Sequence, residues 1–119
     1  MDIIENNVIH AASFSAGSIS VSTAQDALDL ISAVKFEAGC SAAIIDKSCF
    51  SEAFFDLSTG LAGEVLQKFV NYRLRVAIIG DFETVSSSSL RAFIYESNKQ
   101  GVILFLSSVE KALEIFQSE

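Results

Sequence analysis

Apolar residues in this chain fall into two rhythms. Three runs, Ala42-Ala43-Ile44-Ile45, Leu74-Arg75-Val76-Ala77-Ile78-Ile79 and Val102-Ile103-Leu104-Phe105-Leu106, are apolar at nearly consecutive positions, as strands are when both faces of a parallel sheet are covered. Between and after them the spacing becomes helical. Leu61, Val65, Leu66, Phe69 and Val70 make one helical face, Leu90, Phe93 and Ile94 a second, and Val109, Ala112, Leu113 and Phe116 a third, because side chains three and four apart lie on the same side of a helix. Strands alternating with helices predict an α/β domain with helices packed on a sheet.

The first part of the chain reads as a hairpin followed by a helix. Val8 to Ala12 and Ile19 to Val21 are the expected strands, joined by Ser13-Phe14-Ser15-Ala16-Gly17-Ser18, whose glycine and serines favour a turn. Ser22-Thr23-Ala24-Gln25 has the form of a capping box, so a helix is expected from about Thr23, carrying Ala27, Leu28, Ile31 and Val34 inward. Glu37-Ala38-Gly39 supplies its end. Ser107-Ser108-Val109-Glu110 reads as a second capping box, and Ser86-Ser87-Ser88-Ser89 as caps for the helix that follows. The expected architecture is a single domain with a mixed, mostly parallel central sheet of about five strands flanked by about four helices.

Composition narrows the function classes. A chain of 119 residues with 50% apolar content is enough for one domain with one core. Fifteen acidic residues against eight basic ones, a net charge of -7, disfavour nucleic acid and anionic membrane surfaces as partners. No apolar run reaches the roughly 20 residues of a membrane-spanning helix. Met1-Asp2-Ile3-Ile4-Glu5-Asn6 lacks the basic and apolar regions of a secretory signal, so a cytoplasmic location is expected. Cys40 and Cys49 are expected as free thiols, and His10, the only histidine, as a structural residue.

The stretch Phe54-Phe55-Asp56-Leu57-Ser58-Thr59-Gly60-Leu61-Ala62-Gly63-Glu64 turns from apolar sequence through hydroxylated residues into a helix. A hydrolase elbow would read Gly-x-Ser-x-Gly, and here the first glycine and a nearby base are missing. A phosphate loop would end in Gly-Lys-Ser/Thr, which Gly60-Leu61-Ala62-Gly63 does not. No catalytic set and no cofactor pattern emerge. Two uses of Ser58 and Thr59 stay open. Either caps the helix, or a phosphate added there, favoured by the helix dipole, changes the charge of a partner-binding surface formed with Asp56, Leu57, Gly60, Gly63 and Glu64. Asp46, with Lys47, and Asp81, with Gly80, follow the apolar runs, where ligands bind in open parallel sheets. An alternative function is therefore a small-molecule or phosphoryl-handling, magnesium-dependent enzyme using Asp46, Asp56 and Asp81. Another is an oligomerisation domain, a homodimer sealed by an apolar helix face drawn from the ten phenylalanines.

The segment from Phe54 to Tyr72, continuing into Val76-Ala77-Ile78-Ile79-Gly80-Asp81-Phe82 and Phe93-Ile94-Tyr95-Glu96-Ser97-Asn98, closely resembles the bacterial family called domain of unknown function 4180. More remotely, the layout resembles the STAS domain of anti-sigma-factor antagonists. Strands come first, then Ile44-Ile45-Asp46, then an Asp-Ser-Gly-type turn into a helix, and a last strand leading to Ser108-Val109-Glu110-Lys111. That resemblance implies a STAS-like fold and a protein partner whose binding is controlled by phosphorylation on the turn, at Ser58 or Thr59. STAS domains usually place the acid directly before the hydroxyl pair, whereas Leu57 separates Asp56 from Ser58 here.

Overall fold

The computed structural model describes every residue except Asn7 and Glu119. Five strands form one sheet in chain order: β1 (Asp2–Glu5), β2 (His10–Phe14), β3 (Ala42–Asp46), β4 (Arg75–Ile79) and β5 (Ile103–Leu106). β1 runs antiparallel to β2, and β2 to β5 are mutually parallel. The helices are α1 (Ala24–Ile31), α2 (Glu52–Phe55), α3 (Leu61–Asn71), α4 (Ser88–Gln100) and α5 (Val109–Gln117). The expected mixed, mostly parallel α/β sheet is thus present, with five α-helices among the described residues because the short α2 joins the others. A radius of gyration of 13.3 Å is close to the roughly 13.5 Å expected of one domain this long.

Each parallel crossover steps to the next strand in the same direction. Right-handed crossovers then put every connecting helix on one side. Alternate strand residues accordingly divide into two cores. Ala12, Phe14, Ala43, Ile45, Val76, Ile78, Ile103 and Phe105 face α1 to α4. Ala11, Ala42, Ile44, Ala77, Ile79 and Leu104 face the other way, beneath Ala112 and Phe116 of α5. Among the described residues that second face is covered by α5, and three of its six strand positions are alanines. Both faces being buried explains why these strands read as continuous apolar runs.

The hairpin differs from the sequence expectation. The antiparallel partner of β2 precedes it, with Ile4 opposite Ala11. Asn6 closes the turn, its side-chain oxygen accepting from the N–H groups of Val8 (2.7 Å) and Ile9 (2.9 Å). Ile19 to Val21 form no strand, and Val21 makes one isolated parallel bridge to Phe50. Ser15 to Ser18 do turn, with Ser18 N–H on Ser15 O at 3.1 Å, but the chain then proceeds straight to α1.

The caps shift by one residue from the sequence pattern. Thr23, not Ser22, caps α1 by accepting from Asp26 N–H at 3.0 Å, while Asp26 accepts from Ser22 N–H at 2.8 Å. Ser108, not Ser107, caps α5 on Lys111 N–H at 3.2 Å. In the serine run, Ser87 caps α4 on Leu90 N–H at 3.2 Å. After Ile31 the helix widens into π turns over Ser32–Glu37, and Gly39 then takes the left-handed conformation. Cys40 and Cys49 are free and buried.

Candidate functional site

Aromatic rings fix the Phe54-to-Glu64 segment at the carboxyl end of the sheet. Phe50, Phe54 and Phe55 pack in sequence, tilted and then edge to face, with centroids 4.6 and 4.9 Å apart; Phe55 meets Phe82 at 6.3 Å, and Phe82 meets Phe105 of β5 at 5.3 Å. Such pairs add to the burial that holds α2 against the sheet. The turn after α2 is therefore anchored on its inner side. Leu57 is half-buried and packs on the same core, which accounts for the residue that separates Asp56 from Ser58.

Asp56 and Ser58 form a closed local unit on the outer side. The Asp56 carboxylate accepts from the Ser58 N–H (3.1 Å) and from the Ser58 hydroxyl (2.6 Å), a turn geometry that aspartate favours. These bonds, the hydroxyl first, hold the Asp56 carboxyl below its ordinary value. A carboxylate with a lowered pKa stabilises the fold above its unfolded value and loses that contribution as pH falls through the folded one. The Ser58 amide resonance is accordingly expected to move on acidification at a pH below the usual aspartate range. A Ser58 shift with the midpoint of a free aspartate would contradict the hydrogen-bonded turn.

Thr59 is differently placed. Its hydroxyl points to the carbonyls of Ala53 (2.8 Å) and Asp56 (2.9 Å), and its oxygen accepts from Leu61 N–H (3.2 Å). Thr59 is a cap with its hydrogen-bonding capacity used. Gly60 follows at φ +75°, where a Cβ would be strained, and launches α3. Glu64 lies in the first turn of α3, where its charge suits the helix dipole. Gly63 is exposed at the head of a shallow groove of about 300 Å³ between α3 and α4, floored by Leu66, Phe93 and Ile103.

The sequence matches the family described as "Domain of unknown function (DUF4180)" over residues 6–116. The chain belongs to this family. No curated protein and no solved structure matches it.

In this DUF4180 domain the three candidate aspartates each cap a tight turn two residues ahead. Asp46 accepts from Ser48 N–H (2.9 Å) and Ser48 Oγ (2.6 Å), Asp81 accepts from Glu83 N–H (3.1 Å), and Asp56 does the same for Ser58. Asp46 and Asp81 line one cleft of about 350 Å³ with Lys47, Phe50 and Phe55, and Asp56 is not part of its lining. Among the described residues no three His, Cys, Asp or Glu side chains are grouped to hold a metal ion. The aspartate trio that a magnesium site would use is therefore not assembled here.

A neighbouring cleft of about 530 Å³ lies between Asp81, Phe82, Asn98, Ser107 and Lys111. Lys111, inside α5, lines this cleft together with Gly80 and Asp81 at the end of β4. Lys47 crosses the other cleft, its stem so close to Gly80 that an added Cβ would sit 2.7 Å from Lys47 Cδ, and its ammonium 5.6 Å from the Phe82 ring centre. His10 stands apart from Ser58, because it starts β2 at the opposite end of the sheet, exposed and 3.5 Å from Glu5. Of the ten phenylalanines, Phe36 alone is largely exposed, while Phe55, Phe82 and Phe93 are half-buried and the rest buried.

Sequence reasoning missed the DUF4180 domain's amino edge. There His10, Ser41, Arg73, Arg75 and Phe116 meet around a cleft of about 280 Å³. The parallel register assembles this edge, since Ala11 pairs with Ala42 and Ala42 with Arg75, and register leaves no local signal in the sequence.

Proposed function

We propose that this domain is a non-enzymatic regulatory module that binds a protein partner through the Asp56–Gly60 turn and the first turn of α3, and that phosphorylation of Ser58 switches the contact. One observation carries the proposal. The Ser58 hydroxyl is exposed and its hydrogen bond goes to Asp56 alone among the described residues, whereas Thr59 is engaged on both sides. A phosphoryl group would replace that donor with about -1.5 to -2 charges facing a carboxylate, so the turn must open. The buried rings beneath it and Leu57 are untouched, so the domain stays folded. A STAS-like arrangement, with a hydroxylated turn leading into a helix, belongs to the same proposal.

The test compares wild type, Ser58→Ala and Ser58→Asp as bait in native lysate, with thermal melts alongside. Partner recovery is expected to change roughly tenfold between the alanine and aspartate forms, equivalent to about 1.4 kcal/mol of binding, with melting temperatures near wild type. Equal recovery by all three forms sinks the switch. The magnesium alternative makes a separate prediction, shifts at Asp46, Asp56 and Asp81 on magnesium titration, which the separated capping aspartates argue against.

A further inference from the structure

We propose that the amino-edge cleft binds a small oxyanion, a carboxylate or phosphate group carried on a short apolar body. It lies at the opposite end of the sheet from Ser58 and stands independently of the switch. In a chain of net charge -7, two of the three arginines and the only histidine line this one cleft. The floor is apolar, with Ala42 and Phe116 buried. Arg75 is fixed over the Phe116 ring, 5.0 Å from its centre, and its Nε donates to Gly101 O at 3.0 Å. Its charge is thus held at the cleft. Among the described residues Glu5 is an acidic neighbour, facing His10 at 3.5 Å.

Arg73 supplies the strongest argument. It ends α3 at φ +56°, while the other positive-φ positions among the described residues, Gly17, Gly39, Gly60 and Gly101, are all glycine. The backbone there makes a paired helix stop, with Arg73 N–H on Val70 O (3.1 Å) and Leu74 N–H on Phe69 O (2.9 Å), a position for which glycine is the unstrained residue. A cation for the helix dipole is already present in Lys68, in the last turn. The arginine side chain therefore does something that glycine would not. Among the described residues the Arg73 guanidinium makes no hydrogen bond or ion pair elsewhere, and Arg73 is exposed and lines the cleft together with Ser41. A guanidinium offers paired donors that match a carboxylate or phosphate edge.

The experiment is a backbone NMR titration of the whole chain with sodium phosphate, with sodium butyrate, and with sodium chloride at matched ionic strength. It is repeated on Arg73→Gln and on Arg73→Gly, the latter relieving the backbone and so melting no lower than wild type. Saturable shifts are expected at Val8, His10, Ser41 and Arg73 with phosphate or butyrate, and roughly tenfold weaker binding in both variants, as for loss of one charge-assisted contact. The salt that produces them identifies the group. Absence of saturable shifts with both salts, equal shifts in chloride, or unchanged affinity in the variants would each overturn the proposal.

Discussion

Replacing Phe69 by alanine is expected to lower the unfolding free energy by about 3–5 kcal/mol, the range for deleting a fully enclosed aromatic ring. Phe69 is 0% exposed, and it joins α3 to the sheet together with Val65 and Leu66. Its carbonyl also accepts Leu74 N–H at 2.9 Å, so one residue contributes to both the core and the end of the helix. Close-packed interiors relax only partly around such a loss. Against a total of about 5–15 kcal/mol for a domain, the variant sits near the limit of folding. Its melting temperature should fall on the order of 10–20 °C, with the denaturant slope unchanged because the same surface is exposed on unfolding. A loss below about 1 kcal/mol would mean the site collapses around the missing ring and that α3 is not held as described.

Asn98→Ala should produce the second large effect, through the backbone of an edge strand. Asn98 reaches from α4 to β5, donating from Nδ2 to Phe105 O (3.1 Å) and accepting Phe105 N–H at Oδ1 (2.6 Å), and Ser97 Oγ donates to Ile103 O (2.6 Å). These side chains occupy groups that a sixth strand would otherwise take. Removing the amide leaves a part-buried donor and acceptor without partners, about 2–3 kcal/mol. It also uncovers an edge that can pair with another chain. Urea denaturation should show the loss, and light scattering of the native protein should show increased association. A variant as stable and as monodisperse as wild type would remove the edge-protection role.

How far the fold was legible follows from how local each signal was. Continuous apolar runs mark β3, β4 and β5 because both sheet faces are covered, and helical spacing marks α3, α4 and α5. The hairpin differs from the sequence pattern because Ile3 and Ile4, flanked by Asp2 and Glu5, are too short an apolar run to mark a strand. Only pairing with Ala11 and Ala12 reveals them as a strand. Ser22 and Ser107 gave way as caps to Thr23 and Ser108 by one residue, since capping patterns overlap in serine-rich sequence.

The candidate site was legible in the same uneven way. Asp56, Ser58 and Thr59 stand together in sequence, and their bonds are local. What separates Ser58 from Thr59 is not local, because it depends on the Ala53 carbonyl of the preceding short helix and on the aromatic packing beneath. Asp46 and Asp81 suggested ligands because they end strands, yet Asp-x-Ser at 46–48 and at 56–58 is also the signature of an aspartate closing its own turn.

By itself the sequence determined the α/β class, the free thiols, the family and the existence of a capped turn before α3, all of which depend on composition or on residues a few positions apart. The tertiary structure alone decided that α1 to α4 share one face and α5 covers the other, that Asp56 stands apart from the Asp46 and Asp81 cleft, and that Arg73, Arg75 and His10 converge. Those relations are set by strand register and crossover handedness, which bring residues more than thirty positions apart to one sheet edge and leave no periodic trace in the chain.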